Sequence, residues 1–298
     1  MIQEIVAYYL NSSDLAGMFS LDNLFLMFIG LVWLSIAVIQ DFRKREVANW
    51  WSFSLIVFAL GFRAFMSINS WNYGYFLWGV IGLVATFILA NLFYYARMFA
   101  GGDFKLLFAF GAVLPLASDW NTNLIIFLSF ILLFILTGSL YGFVYSIVLS
   151  CIHHRELASG FKKNLKIYPK LVFLVTLGGL VILIVSWIYS LLLGILLGTL
   201  LFISPFLLVY ARAIEDCCMI KKVRVRDLTV GDWTMQNIKV GRGVIKPNWE
   251  GLSEEDLKVI QSKLGKNKQI SVKEGIPFTP AFLLGFVALI VLLYLALY

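Results

Sequence analysis

Charge is scarce in this chain. Of its 298 residues only 14% are Asp, Glu, Lys or Arg, while 61% are hydrophobic and the mean hydropathy is +0.88. An average soluble domain carries about a quarter charged residues, so a protein immersed in water is excluded. Cysteine is nearly absent: Cys151 stands alone and Cys217-Cys218 are adjacent. An adjacent pair with no second pair lacks the ligand set of a structural zinc site. All three thiols fall at or near the side expected to be cytoplasmic, where reducing conditions disfavour disulfides. The two histidines, His153-His154, sit at a helix end in a basic loop and read as a solvated interface feature. No cofactor and no metal are therefore expected. The N-terminal segment lacks a basic stretch and a small-residue cleavage site, so the first apolar span is expected to stay.

What the chain has is long apolar runs. An α-helix needs about 20 apolar residues to cross about 30 Å of hydrocarbon, with every backbone group bonded internally. Spans are predicted at 23–40, 50–68, 75–97, 99–117, 124–151, 171–189, 191–210 and 276–298. The fold class is thus an all-α polytopic membrane protein of about eight transmembrane helices, not a β-barrel. The stretch 171–210 would be about 60 Å long as one helix, so it is read as a hairpin turning near Ser190. The span 50–68 carries Arg63, which is expected to snorkel toward an interface.

Orientation follows from the short loops. Arg43, Lys44 and Arg45 follow the first span; Arg155, Lys162, Lys163, Lys166 and Lys170 follow the fifth; Arg212, Lys221, Lys222, Arg224 and Arg226 follow the seventh. Eight spans put all three groups on one side, which is then cytoplasmic, opposite Glu4, Asp14, Asp22 and Asp119. The net charge of +7 is accounted for by this bias, so no nucleic-acid partner is inferred; the partner surface is the lipid bilayer. Between 211 and 275 lies a small α+β cytoplasmic domain, before the last helix at 276–298. Short antiparallel strands are expected around the turns at Gly231-Asp232 and Gly241–Gly243, then a helix from an N-cap at Ser253 to a stop at Gly265. About 65 residues is marginal for an independent core, so this insert is expected to lean on the membrane domain, 1–210.

Few ionisable residues lie at membrane depth, where they are costly and mark function. Asp41 closes the first span, and Asp103 opens the fourth in Ala100-Gly101-Gly102-Asp103-Phe104-Lys105. The stretch 104–117 is too short to cross alone, so the Gly-Gly-Asp segment is expected to enter the membrane region, with its glycines letting the backbone unwind. Two carboxylates held together do not readily both ionise and can share a proton. One can then take a proton from an attacking water while the other donates to a peptide carbonyl oxygen. The competing reading pairs Asp41 with Arg43 or Arg45, and Asp103 with Lys105.

These motifs resemble the type IV prepilin peptidases, specifically the archaeal preflagellin (prearchaellin) peptidase branch of the Gly-x-Gly-Asp membrane aspartic proteases. The likeness rests on Asp41-Phe-Arg-Lys-Arg-Glu-Val-Ala-Asn49-Trp50 and on Ala100-Gly101-Gly102-Asp103-Phe104-Lys105, and covers mainly 24–116. Ala100 stands in the family's first glycine place, a departure that bears on local backbone geometry and not on the acid. The resemblance implies that Asp41 and Asp103 are the catalytic pair, that Gly101 and Gly102 have a backbone role, and that Lys105 tunes the acid or anchors the helix. It implies an aspartic endopeptidase that removes a short basic leader from archaellin or type IV pilin-like precursors, ahead of their hydrophobic helix. Bacterial members often also methylate the new N-terminus through a cysteine-bearing segment near the chain start; the first 22 residues hold no cysteine, so peptidase activity without methyltransferase activity is expected. Two other readings stay open. A presenilin-like or signal-peptide-peptidase-like protease shares the Gly-x-Gly-Asp element but has its acids on consecutive helices. A transporter would use the same aspartates as a proton relay or cation site.

Overall fold

A computed structural model describes residues 17–297 apart from 242, 249, 250 and 266. Glu4 and Asp14 lie outside the described residues. In chain order the helices are α1 (Leu21–Lys44), α2 (Asn49–Ser70), α3 (Tyr73–Tyr95), α4 (Gly101–Phe110), α5 (Trp120–Ile152), α6 (His154–Ile167), α7 (Pro169–Ile188) and α8 (Leu192–Cys217). There follow β1 (Ile220–Arg224), β2 (Trp233–Thr234), β3 (Ile238–Val240), β4 (Gly243–Ile245), α9 (Glu254–Lys263), β5 (Gln269–Lys273) and α10 (Thr279–Leu297). Two compact units are formed, one from Met1–Phe143 with Ile276–Tyr298 and the other from Val144–Gly275.

In the first unit, local signals place the helix ends. Ser20 caps α1 by accepting from the Asn23 N–H, and Arg45 closes it in the left-handed region at φ 56°, donating its N–H to the Asp41 carbonyl. Trp71 closes α2 at φ 52°, and the Asn72 side chain caps α3. The core is aromatic: Phe110 meets Phe130 and Phe286, and Phe134 meets Phe99, Phe278 and Phe282. The helices approach closely where side chains vanish. A Cβ on Gly285 of α10 would stand 2.9 Å from the Phe134 backbone of α5. One on Gly30 of α1 would stand 3.1 Å from Phe286. Small residues bring apolar helices together where the surrounding solvent is as apolar as Leu.

Seven helices among the described residues are long and apolar enough to cross a membrane. The predicted crossing at 99–117 is not a continuous helix. Only ten residues are helical, about 15 Å of rise, and the chain from Gly111 to Asp119 runs on without forming a further helix. Even so, this segment passes from one end of the bundle to the other. Near its start Lys105 reaches Asn49, the first residue of α2. At its far end the Leu116 carbonyl accepts from Asn23, near the start of α1, and the Ser118 carbonyl accepts from Trp78, near the start of α3. The unwinding lies at 111–119, not at the glycines of Gly-Gly-Asp, which begin α4 in ordinary backbone.

Carbonyls exposed by an unwound backbone at membrane depth must find donors inside the protein. Arg63 supplies them, which corrects the expectation that it snorkels. Its side chain is fully buried, with Nε donating to the Ala112 carbonyl at 2.9 Å, Nη1 to Tyr75 at 3.0 Å, and Nη2 to Val113 at 3.3 Å and to Pro115. The guanidinium lies 4.6 Å over the Tyr75 ring. A fork of five donors suits several carbonyls at once, as a single ammonium would not. Asn123 does the same further along, accepting from the Leu116 and Ala117 N–H groups and donating to the Ala117 carbonyl.

In the second unit α7 and α8 form the expected hairpin, with Ser190 at φ 51° in the turn. Gly179 and Gly198 lie against the backbones of the opposite helix. The strands differ from a simple meander. β1 and β2 both pair antiparallel with β5, giving the order β1-β5-β2, while β3 and β4 form their own hairpin around Gly241. The central strand is thus the last in sequence, an order fixed by long-range pairing. Ser253 caps α9 by accepting from the Asp256 N–H at 3.1 Å. Lys273 of β5 forms an ion pair with Glu215 of α8, and the Glu274 N–H donates to the Met219 carbonyl in the link between α8 and β1.

Candidate active site

The first unit brings the two sequence-predicted acids to one end of the bundle. Asp41 occupies the last turn of α1 and is 7% exposed. Its main-chain carbonyl receives the Arg45 N–H that ends the helix, and Gln40 folds back so that its side-chain oxygen accepts from the Ala48 N–H at 3.1 Å. The short link to α2 is therefore held by the residue before the acid. Oδ2 of Asp41 accepts two hydrogen bonds from one residue: the Thr279 hydroxyl at 2.8 Å and the Thr279 N–H at 3.2 Å.

Asp103 stands in the first turn of α4, half-buried, and accepts from the Ala100 N–H at 3.3 Å. That is one half of a capping box, a stable place for an acid at a helix start. Ala100 adopts φ −77° and ψ 166°, extended backbone open to any residue, so its replacement of the family glycine distorts nothing. A Cβ added at Gly101 or Gly102 would meet nothing within 4 Å. Open space therefore adjoins the acid. Lys105 does not pair with Asp103 as the competing reading had it; its ammonium engages Asn49 Oδ1 at 2.5 Å, tying α4 to the start of α2.

Thr279 is the site residue that sequence reasoning missed. The available signal was a hydroxyl residue followed by Pro280 at the start of an apolar span, the pattern of a helix N-terminus. Among the described residues no three His, Cys, Asp or Glu side chains stand together as a metal cage.

Two acids borne on separate helices, one of them beside the glycines that open α4, and each engaged by neighbouring hydrogen bonds, define the candidate site. Residues 28–147 match the Type IV leader peptidase family. This segment is similar to that family. It contains both aspartates, the Lys105–Asn49 tie and the broken crossing at 101–119. Among curated proteins the chain is similar to the preflagellin peptidases of Methanococcus maripaludis, at 36% identity, and Methanocaldococcus jannaschii, at 30%. Each match runs over 87 residues, 29% of this chain and 37% of the relative. The preflagellin peptidase of Methanococcus voltae is 31% identical over the same length. The chain thus spans little more than a third of the length of the curated relatives it matches. No solved structure matches it.

Proposed function

We propose that this chain is a membrane aspartic endopeptidase that removes the short basic leader from archaellin or type IV pilin-like precursors. The reading is carried by one observation: within the segment that matches the leader peptidase family, Asp41 and Asp103 stand at the same end of the bundle, where Lys105 reaches Asn49 just past the link that follows Asp41. The named relatives are preflagellin peptidases, which supports the same substrate class.

The chemistry needs only the two carboxylates and a water. The ionised acid takes a proton from water as its oxygen attacks the scissile carbonyl carbon, and the protonated acid donates to the carbonyl oxygen. The tetrahedral gem-diol collapses with cleavage of the C–N bond: the departing nitrogen takes the proton that the first acid drew from water, and a diol hydroxyl returns its proton to the second acid, leaving the pair as it began. A Cβ added at Gly101 or Gly102 would meet nothing within 4 Å, which supports an approach of the substrate backbone to the first turn of α4. A precursor's hydrophobic helix would lie in the bilayer while its leader emerges at the end bearing Arg43 and Lys44. The concentration of Lys and Arg there supports a cytoplasmic face.

The test is cleavage of a leader-bearing archaellin precursor in detergent by wild type, Asp41→Asn and Asp103→Asn. Cleavage by wild type at the leader boundary and silence of both folded variants is expected. Normal cleavage by either folded variant, or ion flux in sealed vesicles with no cleavage of any precursor, overturns the proposal.

A further inference from the structure

The start of the last helix lies beyond the segment that matches the leader peptidase family, yet it touches Asp41 of α1 and the link that leads into α4. Thr279 is 2% exposed and places its hydroxyl at 2.8 Å and its N–H at 3.2 Å from the same oxygen of Asp41. The hydroxyl distance is that of a well-formed O–H···O bond. The residue before it, Phe278, packs on Phe99 with ring centroids 6.3 Å apart, and Phe99 immediately precedes Ala100, which caps Asp103.

The first turn of α10 is arranged around this contact. A helix start leaves N–H groups without intrahelical partners. Here the Thr279 N–H goes to Asp41, Pro280 has none, and the Ala281 N–H is taken by the Phe278 carbonyl. Asp41 receives the one first-turn donor aimed away from the helix among these three. Thr279 is itself held in place, because α10 is wedged against α1 at Gly30 and against α5 at Gly285.

We propose that Thr279 is a positioning residue for the aspartate pair, which rests on the reading of Asp41 as catalytic. With Oδ2 engaged by two donors, the carboxylate cannot rotate about its terminal bond, and Oδ1 is the oxygen left to exchange a proton with water. The same turn of chain, through Phe278 and Phe99, braces the Asp103 cap, so the start of α10 sets the spacing of the two acids. Small errors in such spacing are costly to rate, because a near-attack geometry must be held closely.

The experiment compares Thr279→Ser, Thr279→Ala and Thr279→Val in the full chain, with Asp41→Asn alongside, following precursor cleavage and thermal unfolding in the same detergent. Ser and Ala differ only by the hydroxyl oxygen. Thr279→Ser is expected to keep kcat within about threefold of wild type. Thr279→Ala and Thr279→Val are expected to lose about ten- to a hundredfold in kcat, with KM little changed, the pattern of a lost hydrogen bond to a charged group that acts in the transition state. If Ser is as slow as Ala, the methyl and not the hydroxyl matters and the inference fails. If Ala and Val turn over like wild type while Asp41→Asn is silent, the inference fails and the proposed function stands. If Asp41→Asn also cleaves normally, the proposed function itself fails. Should Val unfold at lower temperature, the Ser and Ala pair decides.

Discussion

Replacing Arg63 by Met keeps most of the side-chain volume and removes every donor. Four carbonyls lose this donor, and three of them, of Ala112, Val113 and Pro115, lie in the unwound stretch, whereas that of Tyr75 lies within α3. Leaving a buried acceptor unsatisfied costs about 1–3 kcal/mol. Partial relaxation of the 111–119 stretch leaves about 3–6 kcal/mol, a large fraction of an ordinary protein's stability of about 5–15 kcal/mol. Arg63→Lys should fall between, since one ammonium reaches fewer of the four and lacks the planar fork. The assay is thermal unfolding in detergent, together with limited proteolysis read for cuts between 111 and 119. Arg63→Met is expected to unfold well below wild type and to be cut in that stretch, with Lys intermediate. A Met variant that unfolds like wild type and resists cutting would refute the view that Arg63 stabilises the broken crossing.

Gly82 lies where a Cβ would strike the Gly111 carbonyl and stand 2.5 Å from Pro115 Cγ. Gly82→Ala should therefore destabilise by about 1–3 kcal/mol, measured by the same unfolding assay, whereas Gly101→Ala, with nothing within 4 Å, should not. Lys105→Met removes the tie to Asn49; it should lower the cleavage rate by about tenfold or less and leave the cleavage position unchanged, since the acid itself stays. Phe99→Ala empties a site bounded by Phe134, Phe278 and Phe282. It should cost about 3–5 kcal/mol and reduce cleavage together with stability.

Composition and apolar run length were enough to define a polytopic membrane protein, because crossing hydrocarbon demands long helices whatever their neighbours. The hairpin at Ser190 was legible for the same reason, since 40 apolar residues exceed one crossing. The two acids were legible because a carboxylate within an apolar chain is expensive and stands out. Sequence could not show that the fourth crossing breaks at Gly111, nor that Arg63 stays inside to bond its carbonyls. Both depend on residues about 50 positions apart meeting in one packed bundle. It also could not show that Asp41 is held by a residue 238 positions further along. Local pattern determined which segments enter the membrane and which acids they carry. Only tertiary packing decided which donors meet which carbonyls and carboxylates, because such partners are chosen by proximity in space, and one-dimensional periodicity carries no record of it.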